Sequence, residues 1–328
     1  MFEVKLKDSK TFTCESSETI FQGAKRNGIL LEHSCLTARC KSCRALITKG
    51  QVENIQDEFV LSSEEKELGY ILSCNAKPCS DLELDVEDLG SYNIPDTKTI
   101  PAKIDAINYF KGDVVQIVFR SPPAQKLNFL SGQYVNIIKG DIKRSYSIAN
   151  SLRSDGKLEF LIKNYPGGVM SNYWFNEATV GDLLRIEGPL GTFFLRNLVN
   201  VETVIFLATG TGIAPIKAIL EKLAEQEETL KTEIYLFWGG RFTPDFFWEP
   251  KFKKLNLKYI PVLSRTDQDW TGNIGYVQDA VIQQNINLTN AQVYACGSEA
   301  MINTAQKLLT DNGLQESNFY SDAFVISN

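Results

Sequence analysis

The sequence predicts a chain of three folded parts: a small α+β unit, an antiparallel β-barrel and an α/β unit with a parallel sheet. Its 328 residues suffice for two or three domains. Short alternating apolar runs, separated by turn residues, fill the middle of the chain. After residue 200, longer apolar runs alternate with helical patterns, which is typical of a parallel sheet. A proline-containing segment without apolar periodicity follows the first part. We therefore predict domains over 1–92, 102–198 and 199–328, with a linker over 93–101.

The first part is predicted to combine strands with one main helix. Apolar and polar residues alternate over 2–6, as in a half-buried strand. A helical pattern follows, with Ser17 as a candidate N-cap and Gly28 at its end. Ser62 and Glu65 then have the spacing of a capping box, which predicts a second, short helix.

Four of the seven cysteines form one constellation in this part. Cys35, Cys40 and Cys43 have the spacing C-x4-C-x2-C, and Cys74 follows at a distance. This is the spacing of plant-type ferredoxins, in which four thiolates hold a 2Fe–2S cluster. A structural zinc site is the alternative, although zinc sites usually pair two C-x2-C knuckles. The single histidine, His33, excludes a Rieske centre, which needs two histidine ligands. We therefore expect the four cysteines to ligate a 2Fe–2S cluster in a β-grasp ferredoxin domain.

The cysteine loop has two unusual features. Ala38 stands where many ferredoxins have glycine, so we expect either an accommodating backbone angle or a displaced loop. Arg39 and Lys41 place two cations beside an anionic cluster. Unless they are fully solvated, they should favour the reduced cluster and raise its potential.

Charge and composition exclude several function classes. The net charge is −6, and residues 1–92 carry −5 of it. This argues against nucleic-acid binding, whereas an acidic face could either dock on a basic protein or simply be solvated. We find no signal-peptide pattern and no apolar stretch that could span a membrane. We expect a cytoplasmic monomer that binds neither membrane nor nucleic acid.

The middle part contains two features suited to phosphate. In the strand that contains Arg144, Ser145, Tyr146 and Ser147, the arginine and the tyrosine point to one face. An arginine can bind phosphate, and an aromatic ring can stack on a flat heterocycle. The glycine turn followed by a helical run, 168–171, offers backbone N–H groups to an anion. An ordinary helix start capped by Ser171 is the alternative, but the two features together favour a cofactor.

The third part has a further glycine turn, between its first apolar strand and the following helix. Gly210, Thr211 and Gly212 form this turn, and Pro215 suits the first helical turn. Such a turn is the usual phosphate site of a parallel sheet, although the third glycine of G-x-G-x-x-G is absent. The run of Cys296 and Gly297 ends a later strand, where ligands collect in open α/β sheets. A buried, inert cysteine before a helix capped by Ser298 is equally compatible with this pattern.

In this order the motifs resemble those of a ferredoxin fused to a ferredoxin–NADP reductase-like flavoprotein, the layout of oxygenase reductases. The resemblance covers essentially the whole chain. It implies that Arg144 contacts the FAD pyrophosphate, that Tyr146 lies against the flavin and that Ser147 reaches flavin N5, with Ser145 in the same motif. It also implies that a turn comprising Gly168, Val169, Met170 and Ser171 binds the pyrophosphate.

The resemblance extends to the pyridine-nucleotide site. It implies that the loop of Gly210, Thr211 and Gly212, through Pro215, binds the nucleotide, and that Cys296 and Gly297 lie near the nicotinamide. The C-terminal Phe324 is expected to cover the flavin, and Asp322 replaces the glutamate usual in that motif. Ser147, Cys296 and Phe324 are thus the candidate catalytic residues.

The preferred nucleotide is expected to be NADH. The segment that contains Arg241 and Asp245 resembles the NADH-preferring pattern. A carboxylate can accept from the ribose hydroxyl and would repel a 2′-phosphate, although Arg241 could argue for NADPH.

The expected function is electron transfer from NADH through FAD and the 2Fe–2S cluster to a partner protein. Several runs, among them RSYSIAN and FYSDAFV, resemble a narrower group within the family. Its members supply electrons to a pyridoxamine-phosphate-dependent, iron–sulfur CDP-4-keto-6-deoxyglucose-3-dehydrase of 3,6-dideoxyhexose biosynthesis. An oxygenase component, ring- or alkane-hydroxylating, is the alternative acceptor. A redox sensor or a zinc-stapled binding module is the alternative from another class.

Overall fold

A computed structural model gives the fold, and the chain divides into two compact units, Met1–Ile94 and Pro95–Asn328. Among the residues that the structure describes, no helix combines the length and apolarity needed to cross a bilayer. The described residues are 1–111, 113–226, 231–265 and 269–324.

The first unit is a mixed sheet with a helix packed on it. The sheet order is β2-β1-β7-β3-β5, and β4 pairs separately with β6. β1 and β7 run parallel, and the other neighbours run antiparallel. This arrangement confirms the β-grasp prediction. The elements are β1 (Phe2–Leu6), β2 (Thr11–Cys14), α1 (Ile20–Arg26), β3 (Arg44–Lys49), β4 (Val52–Asn54), α2 (Ser63–Glu67), β5 (Tyr70–Leu72), β6 (Ala76–Pro78) and β7 (Leu82–Leu84).

The two helices of this unit begin at capping boxes. The box at Ser62 and Glu65 is present as predicted. Helix α1 begins later than Ser17 would allow, because Thr19 is its N-cap. The Thr19 hydroxyl accepts from the Gln22 N–H at 3.1 Å, and the Gln22 side chain accepts from the Thr19 N–H at 2.9 Å. Two reciprocal bonds stabilise this start, whereas an isolated serine offers one.

The second unit begins with a six-stranded antiparallel sheet, which confirms the predicted barrel. Its order is β11-β10-β13-β8-β9-β12, and its core contains Phe119, Phe160 and Trp174. Strand β8 begins at Lys98, within the segment 93–101 that the sequence suggests as a linker. The elements are β8 (Lys98–Phe110), β9 (Val114–Arg120), β10 (Tyr134–Lys139), β11 (Ile142–Ser147), β12 (Leu158–Lys163), a short helix α3 (Val169–Asn172) that continues as a π-helical turn (Tyr173–Glu177), and β13 (Leu183–Leu190).

The same unit ends with a six-stranded parallel sheet, as predicted. Its order is β17-β16-β15-β14-β18-β19. β14 and β18 are adjacent although three strands lie between them in the sequence, so the strand order reverses here, where α/β sheets bind ligands. The elements are β14 (Thr203–Thr209), α4 (Ile213–Ala224), β15 (Glu233–Gly240), β16 (Leu257–Leu263), β17 (Asn273–Ile274), α5 (Val277–Gln283), β18 (Ala291–Gly297), α6 (Glu299–Asp311) and β19 (Phe319–Ala323).

Candidate functional site

The four predicted cluster cysteines lie together as two pairs. The Sγ atoms of Cys43 and Cys74 are 3.1 Å apart. Cys40 Sγ accepts from the Cys35 N–H at 3.3 Å, and the two thiols of this pair are hydrogen-bonded as well. Within the described ranges, no three or more His, Cys, Asp or Glu side chains form a single-ion site. Two thiol pairs suit a group with two metal atoms, so the donor set fits a 2Fe–2S cluster better than one zinc ion.

The backbone of the cysteine loop curls around these sulfurs. The Thr37 N–H donates to Cys35 Sγ at 3.4 Å, and the Ala38 N–H donates to Cys74. Leu36, Ala38 and Lys41 have φ of 54°, 57° and 56°. Ala38 therefore adopts the left-handed conformation that glycine would take freely, at a cost of roughly 1–2 kcal/mol. The expected accommodating backbone angle is thus achieved by strain.

Within each thiol pair, the shared hydrogen bond lowers the pKa of one cysteine and raises the pKa of the other. A hydrogen bond from Cys40 lowers the pKa of Cys35 to about 5. A hydrogen bond from Cys43 likewise lowers the pKa of Cys74. Since thiolates are the form that binds metal, each pair contains one group predisposed to ligate.

The cations beside the loop are arranged differently from the sequence expectation. Arg39 is exposed. Lys41 Nζ lies 2.9 Å from Glu65 Oε2, and Arg44 Nη1 lies 2.8 Å from Glu65 Oε1. The same carboxylate accepts from the Ser62 N–H at 2.7 Å, so it joins the start of α2 to the cysteine loop. Lys41 therefore acts on the loop as half of an ion pair, not as an isolated charge.

The predicted flavin motif lies on β11 with the expected alternation. Arg144 and Tyr146 are half-buried on one face, and Ser147 is buried. Trp174 Nε1 donates to the Tyr146 hydroxyl at 2.9 Å, and the two rings meet edge to face at 6.0 Å. Burial raises the pKa of Tyr146 to about 12. Tyr146 is thus held as a neutral phenol. Ser145 is exposed, and its hydroxyl donates to the Asn136 side chain at 2.8 Å.

The glycine turn before α3 leaves its first amides uncapped by a side chain. Gly168 is the N-cap, so the alternative of a helix capped by Ser171 is wrong. Ser171 lies inside the helix, and its hydroxyl accepts from the Tyr165 N–H at 3.0 Å. A Cβ at Gly168 would lie 3.1 Å from the Tyr165 carbonyl oxygen. A pocket of about 560 Å³ opens at this turn, and Lys139 is among the residues that line it. Uncapped amides at a pocket suit a phosphate group, and Val169 and Met170 provide two of them.

The two glycine loops of the parallel sheet interlock. A Cβ at Gly212 would lie 2.2 Å from the Cys296 carbonyl oxygen, and one at Gly297 would lie 2.1 Å from Thr209 Oγ1. The same hydroxyl accepts from the Ser298 N–H at 3.2 Å. Only glycine permits this approach, which brings the ends of β14 and β18 together. Gly210 has φ of 54°, Thr211 is buried in the turn, and Pro215 is buried in the first turn of α4.

Cys296 and Phe324 meet at the same edge. Cys296 pairs with Asp322 in the β18–β19 register, and the Phe324 N–H donates to the Gly297 carbonyl at 3.0 Å. Phe324 packs on the apolar cluster that contains Cys296. Burial, followed by the charge of Asp322, raises the pKa of Cys296 well above its usual range. Cys296 is therefore a neutral thiol, which fits a packing or contact role better than a nucleophilic one.

Asp245, the expected acceptor for the ribose hydroxyl, already accepts two backbone hydrogen bonds just after β15. Asp245 Oδ2 accepts from the Arg241 N–H at 2.7 Å and from the Phe242 N–H at 3.2 Å. Arg241 itself is exposed. Trp238, on the same strand, donates to the Gly210 carbonyl at 3.0 Å. Asp245 thus shapes the turn that carries Arg241.

Sequence reasoning missed two residues of these sites. Trp174 orients Tyr146 from 28 positions away, and no short-range pattern in the sequence predicts this contact. Thr209 contacts the Cys296 loop and directly precedes the glycine turn, so its position was a usable signal.

Three family models match the chain. They are described as "2Fe-2S iron-sulfur cluster binding domain" over residues 4–79, "Oxidoreductase FAD-binding domain" over 101–195 and "Oxidoreductase NAD-binding domain" over 206–307. The CDP-6-deoxy-L-threo-D-glycero-4-hexulose-3-dehydrase reductase of Yersinia pestis is 39% identical over 96% of this chain and 96% of its own. The chain belongs to the ferredoxin-fused flavoprotein reductases.

Other members of this reductase family agree with the assignment. Protein RfbI of Salmonella typhimurium is 37% identical, over 97% of this chain and 94% of its own. The crystal structure of the Amycolatopsis cytochrome P450 reductase GcoB matches with a TM-score of 0.72 and 25% identity, over 99% of both chains. The chain is therefore an oxidoreductase with FAD, NAD and 2Fe–2S domains.

Proposed function

We propose that this reductase oxidises NADH and delivers electrons to an iron–sulfur, pyridoxamine-phosphate-dependent CDP-4-keto-6-deoxyglucose-3-dehydrase. The observation that carries the electron path is the presence, in one chain, of paired thiols and of two interlocked glycine loops at the ends of β14 and β18. The likeness to the Yersinia pestis reductase supports the acceptor.

The barrel would hold FAD. When bound, FAD takes up a hydride from NADH and releases single electrons to the iron–sulfur cluster. Arg144 would place its guanidinium on the pyrophosphate, and the amides of Val169, Met170 and Ser171 would donate to the same group. Tyr146, oriented by Trp174, would lie against the flavin.

The parallel sheet would hold NADH. We assign the nucleotide to the loop from Gly210 to Pro215 and to Arg241, with Gly297 giving close backbone approach. Cys296, as a neutral thiol, would contact the nicotinamide and exclude water. Ser147 would hydrogen-bond the reacting edge of the flavin, and Phe324 would cover it. No acid–base dyad is needed, because positioning governs the hydride step.

The first unit would be the exit for electrons. We assign Cys35, Cys40, Cys43 and Cys74 as cluster ligands. All seven cysteines are free thiols, which suits a reducing cytoplasm. We further propose a monomer with functional domains over 1–92, 102–198 and 199–328.

The test has two stages. The purified holoprotein is mixed anaerobically with NADH or NADPH, and flavin and iron–sulfur absorbance are followed. We expect bleaching of both, with a higher kcat/KM for NADH. A colourless protein with bound zinc overturns the redox proposal, and so does a protein whose absorbance is bleached by neither nucleotide. The reduced protein is then mixed with the purified dehydrase.

An oxygenase component is the second candidate acceptor, and the likeness to a cytochrome P450 reductase favours it. The same reduced protein is offered a terminal oxygenase in parallel with the dehydrase. Faster reoxidation by the dehydrase, at equal concentrations, supports the first acceptor. Faster reoxidation by the oxygenase replaces it with the second.

A further inference from the structure

We propose that Lys217 and Glu159 are positioning residues for hydride transfer, because they fix helix α4 against the barrel. This inference rests on the proposed function and adds to it the contact that aligns the two cofactor-binding parts. It comes from a buried network of charges where the barrel meets the α/β part of the second unit.

Lys217, on α4, is the centre of the network. It is 7% exposed. Its Nζ donates to the Ala149 carbonyl at 2.9 Å, to Glu159 Oε2 at 3.2 Å and to Glu221 Oε1 at 2.5 Å. An ammonium has three N–H donors, so each one has an acceptor. Ala149 and Glu159 belong to the barrel and Glu221 to α4, so a single side chain joins the two parts.

The carboxylates are joined across the same boundary. Glu159, on β12, also accepts from Arg153 Nη1 at 2.5 Å and from Gln116 Nε2 at 3.2 Å. Glu221 accepts from the Ser151 N–H at 2.9 Å. The network contains two cations and two carboxylates, so its charge is balanced. Buried charges of this kind tolerate little displacement, because a separated partner keeps its desolvation cost.

Apolar contacts surround the network, but they constrain the orientation of helix α4 less than the ionic contacts do. Ala149 and Leu161 of the barrel share one cluster with Ile213 and Ile216 of α4. Apolar side chains can slide and repack at modest cost, whereas directional bonds to a buried ammonium cannot. The ionic contacts are thus the part of this boundary that determines the angle of α4.

The position of α4 matters because the helix begins directly after the nucleotide loop. Gly212 ends the loop, Ile213 begins the helix, and Lys217 follows about one turn later. A rotation of α4 would therefore move the loop and the nucleotide that it holds. In the reaction NADH + FAD → NAD⁺ + FADH⁻, a C–H bond of NADH breaks and a bond from that hydrogen to the flavin forms. A misplacement of about 1 Å can slow such a step about 100-fold.

The main test uses Lys217→Met and the double variant Lys217→Met/Glu159→Gln. The single variant leaves two carboxylates, Glu159 and Glu221, without their lysine, so its thermal midpoint should fall. The double variant restores the balance of charge, with Arg153 facing Glu221, and should recover part of that midpoint. We expect flavin reduction by NADH, measured by stopped flow, to stay at least about tenfold slow in both. The Kd for NAD⁺ should change by less than about threefold, because the proposal concerns alignment and not nucleotide contacts.

Lys222→Met is the matched control. Lys222 lies on the same helix, its side chain is 60% exposed, and it pairs with Glu225 near the surface. This variant removes a lysine from α4 that pairs with Glu225 and not with Glu159 or Glu221, and Glu225 keeps its hydrogen bond from the Ser151 hydroxyl. Its flavin reduction should stay within about twofold of the wild type, as expected for an exposed ion pair.

Hydrogen exchange gives a readout that does not depend on activity. Amides in 149–153 and 213–221 should exchange faster in the double variant than in the wild type or the control. Wild-type reduction rate and unchanged exchange in the double variant would overturn the positioning role. Recovery of both stability and rate would show that only the charge imbalance mattered and would overturn the positioning role too. If NADH fails to reduce the wild type, the proposed function fails, whereas the exchange comparison still tests the contact.

Discussion

Gly212→Ala should slow hydride transfer from NADH strongly, although the protein still folds. The residue has φ of −59°, so alanine meets no dihedral penalty there. Its Cβ would, however, lie 2.2 Å from the Cys296 carbonyl oxygen and 2.7 Å from the carbonyl carbon. Restoring even a tight contact of 3.0 Å requires the loop and the end of β18 to part by about 0.8 Å. A shift of this size in the nucleotide loop predicts a loss of roughly 10²-fold in the rate of flavin reduction.

Anaerobic stopped flow, following flavin absorbance after mixing with NADH, measures this loss. Overpacking should also destabilise the fold by about 1–3 kcal/mol. Gly313→Ala separates the two effects, because Gly313 has φ of 102° and open space around its Cβ position. That variant should lose about 1–2 kcal/mol through the left-handed backbone yet reduce its flavin normally. A Gly212→Ala protein that reduces its flavin within threefold of the wild type would refute the interlock argument.

Three further outcomes follow from the local contacts. Glu65→Gln leaves two cations beside the cysteine loop without their carboxylate, so the midpoint potential of the cluster, measured by EPR-monitored titration, should rise. Trp174→Phe removes the hydrogen bond to Tyr146, worth about 1 kcal/mol, and should weaken FAD retention about fivefold in equilibrium dialysis. The Tyr173 hydroxyl holds the pKa of Asp182 below its usual range. Since the folded pKa is lowered, the stabilisation is complete above the unfolded pKa of about 3.9 and is lost as the pH falls. The urea midpoints of the wild type and Asp182→Asn should therefore converge from about pH 6 to about pH 3.

The first two of these outcomes have controls. Glu64→Gln removes an exposed carboxylate from the same short helix and should shift the cluster potential less than Glu65→Gln does. Equal shifts would assign the effect to net charge instead of the ion pair. For the flavin, Tyr146→Phe combined with Trp174→Phe should add little beyond the single changes, and additive losses would contradict the shared hydrogen bond.

Local patterns in the sequence predicted most elements, because their determinants lie within one turn or one strand. The Ser62–Glu65 capping box and the Ser298 N-cap are examples. The N-cap of α1 was misplaced because a second partner, Gln22, decides between neighbouring hydroxyl residues. The glycine spacing predicted the nucleotide loop, but its close partner, Cys296, lies 84 positions from Gly212 and is brought near by the sheet.

Long-range pairing accounts for what the sequence could not provide. Lys41 reads as a free cation, yet Glu65 neutralises it from 24 positions away. Lys217 reads as the polar side of an amphipathic helix, yet it is buried against Glu159, 58 positions before it. Nothing in the spacing of these residues reveals their partners, because the partners are chosen by the packing of separate elements.

The short connection between the two compact units has a consequence for how electron transfer depends on protein concentration. The last helical turn of the first unit ends at Tyr92, and β8 begins at Lys98. A tether of this kind gives the attached carrier an effective concentration in the millimolar range or above, whatever the amount of protein expressed. Electron passage from flavin to cluster is then a first-order event that dilution leaves unchanged. Only the encounters with NADH and with the acceptor depend on concentration, so a cell can regulate the electron flux through the supply of either one.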